Sequence, residues 1–205
     1  MTALIVIAKA PVAGRVKTRL TPPFTPEQAA GLAAAALVDT LAAGLRARRA
    51  ARRVLVLEGA AGTWVPAGFD VLPQRGDGLA ERLAAAFDDV GGPAFLVGMD
   101  TPQVTPALLD AGLAALDRAD AAFGAALDGG YWGIGLSRPD PAVFRGVPMS
   151  AADTGARQRA RLAELGLRTV DLPPLCDVDT ADDARAVAAA APRSRFAATL
   201  GEVAV

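Results

Sequence analysis

The feature that most constrains this chain is an alternation of short, wholly apolar runs with longer, alanine-rich amphipathic stretches. A short apolar run has no polar side to offer water, so it suits a strand covered on both faces, and the amphipathic stretches supply the covering helices. That pattern specifies an α/β protein with a parallel sheet. Strands are expected at Ala3 to Ala8, Arg53 to Glu58, Ala94 to Gly98 and Arg168 to Leu172, with weaker ones at Phe69 to Leu72, Ala121 to Ala126 and Trp132 to Leu136. Helices are expected at Thr25 to Arg49, Gly78 to Asp89, Thr105 to Arg118, Thr154 to Leu165 and Thr180 to Ala190, several opening on Thr or Pro and closing on Gly or Pro. No repeat, linker or composition break divides the 205 residues, so a single domain is expected, with Pro192 to Val205 as a loosely docked tail.

Composition removes several chemistries. The chain has no histidine and one cysteine, Cys176. Histidine-based nucleophilic catalysis, an internal disulfide and a multi-thiolate zinc site are therefore excluded. With 21 Lys and Arg against 22 Asp and Glu, no basic field exists to grip a nucleic-acid backbone. No stretch is expected to reach the roughly 20 apolar residues of a membrane span. Met1 to Ala8 lacks a basic leader and reads as a strand, not a signal peptide. A cytoplasmic protein without nucleic-acid or membrane partners is the expectation.

Lys9 to Leu20 forms a long loop after the first strand, at the edge where open α/β sheets bind ligands. It carries Lys9, Arg15, Lys17 and Arg19 with Gly14, and its spacing matches neither a Walker loop nor a dinucleotide fingerprint. Only two of the 21 basic residues are lysine, and both lie among these four cations, a placement chance would give about 3% of the time. A compact ammonium suits a moving phosphate better than a planar guanidinium, so the loop reads as an anion site, with a solvated basic loop as the plainer alternative.

Asp100 follows the apolar run Ala94 to Gly98 and so falls at the carboxyl edge of the sheet. Magnesium is held by one or two carboxylates plus substrate phosphates. Asp177 and Asp179 share one side of an extended segment and could complete the set, or this acidic run could simply cap the next helix. The roles are compatible if Asp182 and Asp183 serve the helix while Asp177 and Asp179 face the site.

Asp128-Gly129-Gly130-Tyr131 joins two weak strands and reads either as a tight hairpin turn or as a ligand shelf of bare amides beside an aromatic face. Gln74, Gly76 and Arg82 surround a strand-to-helix turn that could contact a base and a phosphate or could be only a turn. Ser150 could meet an acceptor or cap a helix.

Taken in order, Ala8-Lys9-Ala10-Pro11 with Gly14-Arg15-Val16-Lys17-Thr18-Arg19-Leu20, then Gly98-Met99-Asp100-Thr101-Pro102, Asp128-Gly129-Gly130-Tyr131 and Asp177-Val178-Asp179-Thr180 resemble the DUF2064 family of GT-A-like transferases. That family is related to 2-phospho-lactate guanylyltransferase and to the molybdenum-cofactor nucleotidyltransferases. The resemblance runs nearly to Ala190. It implies a three-layer GT-A, or nucleotide-diphospho-sugar transferase, fold: a mostly parallel seven-stranded sheet with one antiparallel strand and a nucleotide over its carboxyl edge. By motif, Gly14, Arg15 and Lys17 match the triphosphate loop, Asp100 the main metal ligand, and Asp177 with Asp179 a second metal-binding pair. Asp128 to Tyr131 would line the acceptor side. The chain departs from the pattern in having one glycine in its first loop, and in carrying Met149 where an aromatic residue is expected before Ser150.

The expected reaction is magnesium- or manganese-dependent transfer of a nucleotidyl group from an NTP to a small phosphorylated or carboxylate acceptor, with release of pyrophosphate. One alternative is a glycosyltransferase using a nucleotide-sugar, although Gly98 stands where such enzymes usually place the first acid of Asp-x-Asp. The other is a nucleotide-binding protein without catalysis.

Overall fold

The computed structural model describes residues 1–203. Its seven strands are β1 (Ala3–Lys9), β2 (Arg52–Glu58), β3 (Asp70–Pro73), β4 (Ala94–Val97), β5 (Ala121–Ala126), β6 (Tyr131–Leu136) and β7 (Thr169–Leu175). The helices are α1 (Pro26–Arg46), α2 (Leu79–Val90), α3 (Pro106–Ala115), α4 (Thr154–Glu164), α5 (Ala181–Ala190) and α6 (Arg195–Val203). One sheet runs β3-β2-β1-β4-β6-β5-β7. β6 is antiparallel to both its neighbours, and every other pairing is parallel. Proline stands in both edge strands, at Pro73 and at Pro173 and Pro174, where a missing ladder donor is tolerated.

The two-residue period divides β1 between two cores. Leu4, Val6 and Ala8 join Leu37 and Leu41 of α1 and Leu109 and Leu113 of α3 on one face. Ile5 and Ile7 join Leu83 and Phe87 of α2 and Leu162 of α4 on the other. This is the three-layer nucleotide-diphospho-sugar transferase architecture, with its single antiparallel strand. After β1 the chain builds β2 and β3 to one side, then crosses back to place β4 on the other. The carboxyl ends of β1 and β4 therefore flank a topological switch point, where no crossover helix fills the crevice and a ligand can enter.

Two expectations are corrected. Helix α1 is 21 residues long and, by length and composition, apolar enough to cross a membrane, because its alanines are interrupted by few charges. More than half of its most apolar window, 56%, is buried within the fold, as suits a helix wedged between the sheet and another helix. The terminal segment is also more ordered than a loose tail. From Arg195 it forms α6, whose Phe196 and Leu200 are buried with Leu32 and Ala36 of α1 and Val187 of α5; its last two residues lie outside those described. Local and distant groups both cap it: Ala197 N donates to Ser194 Oγ, while Arg195 N and Phe196 N donate to the Asp39 carboxylate of α1. The Ser194 signal was available in the sequence, whereas Asp39 lies 156 residues away.

Helix boundaries move for similar reasons. Thr25 and Gln28 form a reciprocal capping box that starts α1 at Pro26. Its end falls at Arg46 rather than Arg49 because Arg53 binds the carbonyls of Gly44 and Ala47, and Asp110 of α3 accepts from the amides of Arg48 and Arg49.

Burial of Phe196 gives the terminal helix a measurable role. Phe196→Ala should cost about 3–5 kcal/mol and lower Tm by roughly 10 °C in a calorimetric scan, against the ~0.5 kcal/mol expected of a surface change on a loose tail.

Candidate functional site

Three buried apolar side chains, Val16, Leu20 and Phe24, fasten the loop after β1 to the cores. Burial of these anchors leaves Lys17 and Arg19 between them, with Lys9 and Arg15 before the first. Gly14 takes φ +73 with open space around its α-carbon, so glycine is used here for conformation rather than close approach. Lys17 is also left-handed, at φ 49 and ψ 38, which is uncommon for a residue with a β-carbon.

That conformation directs Lys17 inward. Its side chain is only 8% exposed, and Nζ lies 2.6 Å from Asp100 Oδ1 and 3.8 Å from Asp179 Oδ1 while donating to the carbonyl of Val178. Arg19 pairs from outside with Asp179 Oδ2 at 3.0 Å. The two acidic segments are joined directly, since Val178 N donates to Asp100 O at 2.9 Å. Leu20 and Val178 both belong to the core under α1, α5 and α6, so the terminal helix supports the floor of this site.

The acidic run before α5 divides its work. Thr180 is the N-cap and forms a capping box with Asp183, while Asp182 pairs with Arg185. Asp177 and Asp179 face a cavity of about 790 Å³ over the carboxyl edge of the sheet, which Thr180 and Asp183 also line. Asp177 Oδ1 is buried and accepts no hydrogen bond from the protein. Burial raises its pKa first, and the Asp100 and Asp128 carboxylates add to the shift; Lys17 opposes it, and Asp179 adds a little more, leaving the group at about 7.

Among the expected site residues, Lys9, Arg15, Lys17, Arg19, Gln74, Asp100, Asp128, Gly130, Tyr131, Ser150, Asp177 and Asp179 all line this cavity. Gly14, Gly76, Arg82 and Gly129 do not. Arg82 pairs with Glu58 and bonds Gln74 Oε1 and Gly76 O, while Gln74 Nε2 donates to Ala8 O at 2.8 Å. This network ties the end of β3 to β1, leaving Gln74 and Arg82 structural partners of their own. Lys9 is half exposed and pairs with Glu58 at 3.5 Å.

Across the cavity, Asp128 accepts from Gly130 N, and Gly129 is pressed so closely on Ala152 that a β-carbon would lie 1.8 Å from its carbonyl oxygen. The tight turn and the cavity wall are thus one feature, with Gly129 needed for packing and Gly130 left beside the cavity. Tyr131 packs tilted on Phe123, and its hydroxyl lies near Met149 Sδ and Gln158 Oε1; burial holds its pKa above the ordinary phenol range. Thr154, not Ser150, organises the neighbouring loop, accepting from Ala151 N and donating to Pro148 O. Ser150 lines the cavity at φ 60. Sequence reasoning missed Thr101, a 1% exposed cavity residue whose hydroxyl has no protein partner, although its place directly after Asp100 at a strand end was a usable signal.

The acidic groups fit a hard divalent cation. Asp177 brings a buried oxygen with no donor, Asp100 is partly exposed beside it, and both offer oxygen, which suits magnesium or manganese. Among the described residues no three His, Cys, Asp or Glu side chains cluster tightly enough to hold an ion unaided. A cation here would need further oxygen ligands, such as phosphate supplies.

The unpartnered carboxylate has a consequence for stability. A carboxyl whose pKa rises from 3.8 to about 7 on folding binds more protons in the native state, so its ionisation costs stability as pH rises through that window, and the full penalty persists above it. In chelator-treated buffer, Asp177→Asn should leave Tm nearly unchanged at pH 4 and raise it by roughly 10 °C at pH 8. Parallel Tm–pH curves for the two proteins would remove Asp177 as the strained group.

None of the curated proteins matches this sequence. A solved structure provisionally assigned as a nucleotide-diphospho-sugar transferase, from Desulfovibrio desulfuricans G20, is 29% identical, with 98% of this chain and 94% of that one covered and a TM-score of 0.86. CMP:2-keto-3-deoxy-manno-octonic acid synthetase complexed with CTP is 12% identical, covering 94% and 98% of the two chains, with a TM-score of 0.60. Rv0371c from Mycobacterium tuberculosis H37Rv, in a complex with manganese, is 22% identical over 91% and 97%, with a TM-score of 0.52. The last two likenesses establish the fold alone. A profile described as an uncharacterized protein conserved in bacteria, DUF2064, matches residues 32–151, more than half of the chain, and the chain therefore belongs to the DUF2064 family.

Proposed function

We propose that this protein is a metal-dependent nucleotidyltransferase that moves an NMP group from an NTP to a small phosphorylated or carboxylate acceptor and releases pyrophosphate. The observation that carries the reading is the buried, unpartnered oxygen of Asp177 beside Asp100, in a cavity whose rim carries exposed cations. A buried carboxylate facing other carboxylates calls for positive charge, and the exposed cations of Lys9, Arg15 and Arg19 call for a polyanion. A metal–triphosphate satisfies both demands at once.

Each group in the cavity has a task in this reaction. Asp100, Asp177 and Asp179 would hold magnesium or manganese. When bound, the ion supplies charge neutralisation across the phosphates. Arg15 has no carboxylate within ion-pair distance among the described residues, leaving its guanidinium available to the leaving phosphates. The Gly130 backbone, Tyr131 and Ser150 stand on the opposite wall, where an acceptor would lie. A phosphate or carboxylate acceptor is already ionised at neutral pH, so the absence of histidine is no obstacle.

A second reading, a glycosyltransferase using a nucleotide-sugar, draws support from the 29% identical neighbour. Gly98, two residues before Asp100, argues for the first, since only one acid sits at the end of β4.

The two readings separate by ligand. At about 100 times Kd, a nucleoside triphosphate with magnesium should stabilise the native state by about 2.7 kcal/mol, a Tm rise of roughly 5–10 °C. Nucleotide-diphospho-sugars with magnesium should give less. Larger shifts from nucleotide-sugars would move the assignment to glycosyl transfer, and no shift with any nucleotide would remove both.

A further inference from the structure

Lys17 is arranged unlike a lysine waiting for phosphate. An ammonium has three donors and no acceptor. Asp100, Asp179 and the Val178 carbonyl all surround Nζ, with 2.6 Å to Asp100 Oδ1, and the side chain is 8% exposed. Lys9, the other lysine, has a side chain 54% exposed at the same cavity. The inward course of Lys17 begins in its backbone, which is left-handed at φ 49.

We propose that in the nucleotide-free protein the Lys17 ammonium occupies the seat of the divalent cation, acting as an internal counter-ion that must leave before the metal can bind to Asp100 and Asp179. The proposal deepens the nucleotidyltransferase reading and relies on it only for what Lys17 meets after leaving. Two cations cannot share so small a group of carboxylates without strong repulsion. Asp177 is not paired with the ammonium, and its buried Oδ1 accepts no hydrogen bond from the protein.

Exchange follows from the kinds of side chain present. Lysine is a point charge on a flexible four-carbon stem, able to swing from the aspartates to an arriving phosphate without a matched planar geometry. Metal alone drives the ammonium out with nothing to receive it, so metal alone binds weakly. A triphosphate gives the ammonium a new partner, so metal and nucleotide each strengthen the other's binding by the same factor. Such coupling keeps the site from filling with metal when no nucleotide is present. It also explains how Asp100 and Asp179 can sit together in the fold without an ion.

Because the chain has only two lysines, amine chemistry reports on Lys17 directly. Native protein in chelator-treated buffer would be reductively methylated and followed by mass spectrometry, then again with manganese chloride alone at saturating concentration. Lys17 should react about tenfold more slowly than Lys9 without metal, and manganese should bring Lys17 close to the rate of Lys9. By calorimetry, nucleotide-free Lys17→Met should bind manganese about tenfold more tightly than the native protein. Continued protection of Lys17 at saturating manganese would overturn the proposal, as would equal or weaker manganese binding by the variant, or no binding by either protein. The labelling arm uses native protein, so it stands even if the variant folds poorly. Neither arm contains nucleotide: if manganese frees Lys17 while no triphosphate binds, the exchange stands and the nucleotidyltransferase reading falls.

Discussion

Four carboxylates, from Asp100, Asp128, Asp177 and Asp179, converge on the carboxyl edge of the sheet, and their mutual repulsion is the constraint the chain must meet to close there. Lys17 meets much of it. Its ammonium contacts groups from two segments separated by more than 70 residues, and a backbone hydrogen bond from Val178 to Asp100 holds those segments at fixed spacing. Hydrophobic anchoring makes the pairing possible: Leu20 and Val178 share one buried cluster, so the residues carrying opposite charge are brought together by apolar neighbours rather than by the charges themselves. The ion pair then adds specificity to a placement that burial has already secured.

Most of the fold was legible because β1, β2 and β4 are covered on both faces and leave an unmistakable apolar signature in Leu4 to Ala8, Val54 to Leu57 and Ala94 to Val97. β5 and β6 were fainter because glycine interrupts them, and the structure gives the reason. A β-carbon at Gly124 would lie 2.3 Å from the Trp132 ring, and those at Gly133 and Gly135 would lie 2.7 and 2.9 Å from Phe95. These glycines make room for two large aromatic rings packed edge to face within the sheet's core. The sequence of Asp128 to Leu136 therefore mixes two purposes, cavity wall at Gly130 and Tyr131 and aromatic packing at Gly133 and Gly135, which composition alone cannot separate. Helix α6 was obscure for another reason: its buried face depends on α1 and α5, and much of its cap comes from Asp39.

The candidate site was legible at strand ends and less so in its pairings. Asp100 and the first loop could be placed from the alternation of elements, since a residue following a buried parallel strand must emerge at the carboxyl edge. No local pattern reveals that Gln74, although it lines the cavity, donates to Ala8, or that Arg82 pairs with Glu58 away from the cavity, because those partners come from β1 and β2. The inward course of Lys17 was hidden too. It depends on a left-handed backbone at a residue other than glycine, a choice local propensity disfavours and the surrounding anchors impose.

With Gly98 rather than an acid two residues before Asp100, the end of β4 contributes one carboxylate, and the others come from the segment after β7, on the far side of β6 and β5. The proposed cation seat would span two separate loops, so its geometry would depend on what holds them in register. The Val178–Asp100 hydrogen bond and the buried Val178 side chain provide that register from opposite directions, one through the backbone and one through the core. Helix α6 closes the same core from outside. The far end of the chain, remote in sequence from the first loop, thus helps set the distance between the carboxylates on which a cation in this cavity would have to settle.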